Sequence, residues 1–322
     1  MDTPHQNNKI LTAAALLAFL AVAAILQFST PNIADPDSFY HITHAKIYRE
    51  RGPLYSEFPW TQFSVMKDLK ADIWWGFHLF LIPFTFVKDG ILGIKLAGAF
   101  ITFLTLAGFY WALKRLKIIW PLLWILIFAA ASPDVMYRLT MTRPHNLSLV
   151  LAVVSFAVFL TSGKKWPLAA LGFAASFLHT ALSWLPLFVI GITSVVLKLR
   201  REPTRLTHLV YLAAGVAGGL LARPHPLGAL KLAYIQVVQI ITVKAQNIPL
   251  TFGRELKPHT LDLFLRNAAP ALLIMITAFV LYKISRRGAH DSESRNLKNV
   301  FFASLVVSTI FLFVSAFVAR RS

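Results

Sequence analysis

The hydrophobic positions of this chain fall in long unbroken runs, without the alternation of a half-buried strand or the one-sided periodicity of a surface helix. Runs that approach the length of a bilayer crossing recur from Ile10 to Val318. They predict about nine spanning helices, at 10–29, 91–113, 118–132, 147–161, 166–179, 183–198, 207–222, 268–284 and 300–318. The pattern therefore predicts an all-α polytopic membrane protein with a single membrane domain over residues 1–322.

Two further apolar stretches are predicted to lie at the membrane surface. The stretch at 73–87 would rise only about 22 Å as a helix, against roughly 30 Å for the hydrocarbon core of a bilayer. It also contains Trp74, Trp75 and His78, which suit the interface between membrane and water. Lysine and glutamine residues interrupt the stretch at 227–246. Both stretches are therefore expected to be interfacial helices inside loops.

Composition supports the membrane assignment and removes other classes. The chain is 57% hydrophobic and 14% charged, whereas soluble domains carry about 25% charged residues. Its net charge of +18 comes from Lys and Arg dispersed among short loops, which argues against a nucleic-acid partner. The chain has no cysteine, which excludes disulfides and thiolate metal sites.

The basic clusters predict the orientation of the chain. They follow alternate spans, at 114–117, 164–165, 198–205 and 283–298. The positive-inside tendency places these clusters and the N-terminus in the cytoplasm, so the protein is expected in the plasma (inner) membrane. Only four of the 14 acidic residues fall on that side: Asp2, Glu202, Asp291 and Glu293. The outer loops are then at 30–90, 133–146 and 223–267. The first span is interpreted as a retained signal anchor, with a cleaved signal peptide as the alternative.

The first outer loop opens on Asp35-Pro36-Asp37. If a helix begins here, four polar side chains at steps of four, three and four share one face: Asp37, His41, His44 and Tyr48. A carboxylate, two imidazoles and a phenol can bind a metal ion or relay protons. An alternative stays open, because Asp35 followed by a proline also has the form of a helix N-cap with no catalytic role.

The second outer loop offers an acid, two arginines and a histidine within twelve residues: Asp134, Arg138, Arg143 and His145. An arginine at the start of the next helix is well placed to hold a phosphate by paired hydrogen bonds. Arginines at the ends of spans also snorkel to lipid headgroups without any further role. Two carboxylates and an imidazole, supplied by Asp35, Asp134 and His179, would suffice for a hard divalent cation such as Mg²⁺ or Mn²⁺.

Three more polar residues lie at predicted outer positions. His179 falls in a tight turn between two spans, where a structural role is the commoner one. Arg223 and His225 open the third outer loop, within reach of a lipid phosphate. The apolar runs themselves contain no carboxylate at membrane depth, which is unlike an ion-coupled transporter.

The first span, the sequence ADPDSFYH after it, and the short loop with Asp134 together resemble the membrane glycosyltransferases of the GT-C fold. The stretch DPDSFYH is similar to the acidic motif in the first outer loop of oligosaccharyltransferase catalytic subunits. The similarity covers roughly residues 8–200. The chain departs from those subunits in lacking a WWDYG motif and a soluble C-terminal domain. It stops at Ser322, just past a span, which is compatible with a longer native chain.

The resemblance implies a GT-C-like helical bundle and transfer of a sugar from a polyprenyl-phosphate donor to an acceptor on the outer face. It implies catalytic roles for Asp35 as base or metal ligand, Asp37 as support and Asp134 as second acid. The other candidates are expected to bind substrate and its phosphate: Tyr40, His41, His44, Arg138, Arg143, His145, Arg223 and His225. Two alternatives remain, a lipid-handling or flippase-like protein without bond-making, and an assembly partner in the membrane.

Overall fold

The computed structural model describes residues 4–58, 61–130, 133–240 and 298–309, with the single positions 242, 262 and 276. Within these residues the chain is helical and contains no strand, so the all-α prediction is confirmed. The predicted span at 268–284 lies outside the described residues apart from position 276, and the span at 300–318 is described only to residue 309.

Twelve α-helices follow one another in the described part of the chain up to residue 240. They are α1 (Pro4–Phe28), α2 (Asp37–Arg51), α3 (Val65–Leu69), α4 (Trp75–Leu81), α5 (Gly90–Arg115), α6 (Pro121–Ala129), α7 (Pro133–Thr140), α8 (His145–Thr161), α9 (Trp166–Leu178), α10 (Trp184–Leu199), α11 (Leu206–Leu221) and α12 (Pro226–Tyr234). Short 3₁₀ segments follow α4 and α9, and a π-helical turn follows α12.

Three described helices are long and apolar enough to cross a membrane: Lys9–Phe28, Gly90–Arg115 and Thr180–Leu199. The number rises to five if two bent pairs each count as one span, α6 with α7 at 92° and α11 with α12 at 111°. The predicted nine spans are not confirmed. Helices α8 and α9 form where predicted but have only 17 and 13 residues, and about 20 are needed to cross a bilayer upright.

The predicted interfacial stretch at 73–87 forms two short pieces, α4 and the 3₁₀ segment Ile82–Phe86. Helix α2 packs against both pieces. Phe77 and Leu81 of α4 share a fully buried apolar cluster with Ala45 of α2 and Ile101 of α5. This cluster fixes α2 and α4 side by side and so determines which of their polar side chains face each other.

Helices α9 and α11 make the most extensive helix–helix contact in the described part of the chain, and glycines explain their close approach. Gly215 and Gly219 lie four residues apart on one face of α11, and Gly172 faces them from α9. A Cβ atom at Gly215 would collide with the backbone carbonyl of Ala169, and one at Gly219 with that of Phe173. Small residues at this spacing let membrane helices pack backbone against backbone.

Replacing Gly215 with alanine should therefore push α9 and α11 apart. We expect the free energy of unfolding to fall by about 1–3 kcal/mol, the usual cost of overpacking, even though alanine is the better helix former. Gly218→Ala is the matched control, since a Cβ atom there meets only the Phe173 ring at 3.6 Å. Reversible unfolding in mixed micelles measures both variants. Equal stability of the two would contradict the packing argument.

Candidate functional site

The acidic motif of the first loop is bound to the second predicted outer loop through Arg143. The guanidinium donates from Nε to Oδ2 of Asp35 and from Nη2 to Oδ1 of Asp35, both at 2.6 Å. Nη2 also lies 2.6 Å from Oδ2 of Asp37. Asp35 is almost fully buried, whereas the side chain of Asp37 is 57% exposed. Residues that are more than a hundred positions apart in sequence thus form one ion-pair cluster.

The capping interpretation of Asp35 also has a counterpart in the structure. Helix α2 begins at Asp37, with Pro36 as its N-cap residue. Oδ1 of Asp35 accepts the backbone N–H of Asp37 at 3.4 Å, and the Asp35 carbonyl accepts that of Ser38 at 3.1 Å. Asp35 therefore anchors the start of α2 and pairs with Arg143 at once.

A second polar cluster lies between α2 and α4. The stripe predicted on α2 is buried at His41, His44 and Tyr48. Opposite it, Nδ1 of His78 lies 2.5 Å from Oδ2 of Asp72, and Nε2 of His78 lies 2.8 Å from Nδ1 of His41. The result is a hydrogen-bonded chain from carboxylate to imidazole to imidazole.

Asp72 is held as a carboxylate by three donors. Besides His78, the Tyr48 hydroxyl donates to Oδ2 at 2.9 Å and the Trp74 backbone N–H donates to Oδ1 at 2.8 Å. Burial alone would raise the pKa of Asp72, but the charge and hydrogen bond of His78, the charge of His44 and the Trp74 N–H together bring it below its ordinary value. Asp72 therefore stays ionised in an almost dry environment.

The same burial keeps two histidines and two tyrosines of this cluster neutral. Burial, followed by the charge of His78, lowers the pKa of His41 well below 6.5 and that of His44 to about 4. Burial and the Asp72 charge raise the pKa of Tyr40 and Tyr48. At neutral pH His41 and His44 are therefore neutral and both phenols are protonated beside the Asp72 carboxylate.

The divalent cation implied by the resemblance does not fit the predicted ligands. Both oxygens of Asp35 are engaged by Arg143, whose positive charge would repel a cation. Asp134 pairs with Arg138 instead, and Nδ1 of His179 lies 3.0 Å from the Ser148 hydroxyl. Among the described residues, Asp35, Asp134 and His179 form no group of close ligand atoms.

A different trio has the spacing of a metal site but the wrong orientation. Ligand atoms of His44, Asp72 and His78 lie within 4.8 Å of one another. The rings of His44 and His78 are stacked, with centroids 4.6 Å apart and planes 5° from parallel. An imidazole binds a metal in the plane of its ring, and one ion cannot lie in two parallel planes. The arrangement is that of a hydrogen-bonded relay.

The remaining candidates occupy separate positions. Asp134 and Arg138 form a partly exposed pair on α7 at 2.8 Å. The His145 ring packs edge-on against His179, with centroids 4.9 Å apart. His225 is exposed, with Nε2 3.3 Å from the Ser56 hydroxyl.

Arg223 links two segments inside the protein, whereas the sequence predicts that it faces a lipid phosphate. Its side chain is buried and donates to the backbone carbonyls of Asp72, Ile73, Ser176 and Phe177. These carbonyls belong to the residues just before α4 and to the end of α9. Arg223 therefore fixes Asp72 relative to α9, because a guanidinium can satisfy several carbonyls that a helix end leaves unpaired.

Two central residues of the α2–α4 cluster, Asp72 and His78, were not among the sequence candidates. His78 was interpreted as an interfacial residue of an aromatic stretch. The signal available in the sequence is a carboxylate just before the short apolar stretch of the first loop and a histidine within it, in the same loop as the predicted stripe with two histidines. Buried imidazoles need partners, and a carboxylate and a histidine in the same loop are suitable ones.

Comparison of the chain with protein-family models, with curated proteins and with solved structures gives no match.

Proposed function

We propose that this protein is a membrane glycosyltransferase that moves a sugar from a polyprenyl-phosphate donor to an acceptor hydroxyl at the predicted outer face. The observation that supports it best is the convergence of Asp35 and Asp37 on Arg143, beside the His41–His78–Asp72 chain. Arg143 and His145 also help to lower the pKa of His41, so the first cluster lies close enough to influence the second. Carboxylates, a cation and imidazoles in one place suit displacement of a phosphate leaving group.

The reaction needs few catalytic groups from the protein. The acceptor oxygen forms a bond to the anomeric carbon while the bond from that carbon to the phosphate oxygen breaks. Polyprenyl phosphate leaves with the electron pair, and the acceptor proton passes to a base. We propose that Asp37 contacts substrate, because it is the exposed acid of the pair, and that Arg138, which is half exposed, meets the phosphate.

The role of Asp35 is revised accordingly. A carboxylate that is buried and engaged at both oxygens by an arginine is poorly placed to take a proton from substrate. We propose that Asp35 orients Arg143 and the start of α2. The divalent cation has no part in this proposal, because its predicted ligands are occupied by other partners.

Reconstituted protein tests the proposal directly. Proteoliposomes receive a polyprenyl-phosphate hexose with a radiolabelled sugar and a membrane extract as acceptor source, and chromatography follows loss of label from the lipid. We expect turnover by the unaltered protein and a loss on the order of 10²-fold in Asp37→Asn, the size of effect seen when a polar contact to a transition state is removed.

Asp68→Asn is the matched control, since Asp68 is an exposed acid of the same loop that takes no part in either cluster; it should retain full turnover. Movement of the intact lipid between leaflets with no transfer of label would contradict the proposal and favour a lipid-handling protein. Full activity of Asp37→Asn would show that the Asp37 carboxylate makes no contact that the reaction needs.

A further inference from the structure

We propose that His41 is the base that takes the acceptor proton, and that His78 and Asp72 position it as a carboxylate–imidazole–imidazole relay. This inference rests on the proposed function and assigns its proton acceptor. It is carried by the hydrogen-bonded chain between α2 and α4, whose three members are all buried.

The direction of each hydrogen bond follows from Asp72. As an acceptor-only carboxylate, Asp72 must receive the Nδ1–H of His78. For this chain to receive a proton from His41, Nε2 of His78 must be an acceptor, so the relay has Nδ1–H of His41 donate the bond of 2.8 Å. This leaves the lone pair of His41 on Nε2. The relay therefore fixes the tautomer that can act as a base.

Proton transfer along this chain balances. Nε2 of His41 takes the proton of the acceptor hydroxyl as the oxygen bonds to the anomeric carbon. The Nδ1 proton of His41 moves to Nε2 of His78, which becomes an imidazolium beside the Asp72 carboxylate. The positive charge thus ends next to the buried anion, where low polarity makes the attraction strong.

The groups that face His41 come from three elements. Helix α4 contributes His78 and, from the residues just before it, Asp72. Arg143, just before α8, and His145, its first residue, act on His41 from a second side. Helix α2 itself contributes the Tyr40 ring, while His44 stacks on His78. Only Asp72 among the groups acting on His41 raises its pKa; burial, His78, Arg143 and His145 lower it. His41 is consequently neutral, and so able to accept a proton, at neutral pH.

The Tyr40 hydroxyl is a second observation, besides the hydrogen-bonded chain, that points to a ligand beside His41. Its ring lies against His41 and His44, with centroids 5.3 and 5.1 Å away. Within the described residues its buried hydroxyl has no hydrogen-bond partner, a costly state for a phenol. An acceptor hydroxyl that reaches His41 would give this phenol an oxygen to donate to.

Asp72→Asn in the full-length protein, assayed as above from pH 4 to 9, is the decisive variant. We expect the plateau rate to fall on the order of 10²-fold or more, because the imidazolium loses its counter-charge. We also expect the acid limb of the profile to move to lower pH, since removal of the Asp72 charge removes what raises the pKa of His41. A purely structural role would lower the rate without moving that limb.

Nitrogen-15 NMR of histidine-labelled protein gives a readout that does not depend on turnover. At pH 7.5 we expect a neutral His41 with its proton on Nδ1, assigned by loss of its signals in His41→Gln. A charged His41, or a proton on Nε2, would overturn the relay, as would an Asp72→Asn variant whose plateau and acid limb match those of the unaltered protein. Absence of transfer by the unaltered protein would instead overturn the proposed function and the catalytic role built on it.

Discussion

Arg143→Met should destabilise the protein by about 3–5 kcal/mol, the cost of leaving a buried charge without its partner. The guanidinium makes two bonds of 2.6 Å to Asp35, whose side chain is only 2% exposed. Methionine keeps much of the arginine stem but none of its donors. The Asp35 carboxylate would then face the protein interior with only a weak bond from the Asp37 backbone N–H.

Arg138→Met is the matched control, because that arginine also pairs with an aspartate at 2.8 Å but on an exposed helix surface. It should cost about 0.5 kcal/mol or less. Unfolding of both variants in mixed micelles at pH 7.5 gives the comparison. Adding Asp35→Asn to Arg143→Met should recover part of the loss, because a neutral amide is cheaper to bury than an unpaired carboxylate. Equal costs for the two arginines would contradict the burial argument.

The α2 stripe shows what a helical period can predict. The spacing of His41, His44 and Tyr48 predicts a shared face, and the structure buries all three on the side that meets α4. The identity of the facing residues was not predictable from the period, because α4 comes some thirty positions later in the sequence. Its placement depends on the apolar cluster of Phe77 and Leu81 and on the hydrogen bonds from Arg223.

Loop charge predicted that the acidic motif and Arg143 lie on one side of the membrane, and the structure joins them by an ion pair. The same reasoning did not distinguish an arginine that pairs with carboxylates from one that binds backbone carbonyls. Arg143 and Arg223 both precede a proline at a helix start in the sequence, yet one binds two carboxylates and the other four carbonyls.

Hydropathy alone predicts about nine spans, because apolar runs of 13 to 17 residues look alike whether they cross a bilayer or pack inside a bundle.

Acidification should weaken the fold between pH 6.5 and about 4. Burial lowers the pKa of His44 from 6.5 to about 4, and that of His41 well below 6.5. In this window the unfolded chain binds protons that the folded protein excludes, so the free energy of unfolding rises with pH. His44 alone should account for roughly 3 kcal/mol between the two ends of the window, with a further loss from His41.

Asp72 does not contribute to that slope. Its pKa is lower in the folded protein than its ordinary value, so the stability it supplies is complete above that ordinary value and is lost only in stronger acid. The histidine and carboxylate effects therefore act in separate pH ranges. The free energy of unfolding measured at pH 7.5, 6, 5 and 4 should show the histidine effect alone.

His44→Phe isolates one histidine, since the phenyl ring can keep the stacked position against His78 without a titrating group. We expect this variant to have a shallower dependence of unfolding free energy on pH, by up to one proton between pH 6 and 4.5. An unchanged slope would mean that His44 is protonated in the folded protein. A slope of opposite sign would mean that the folded protein binds more protons than the unfolded chain in this range. That result would contradict the neutral His41 on which the proposed relay depends.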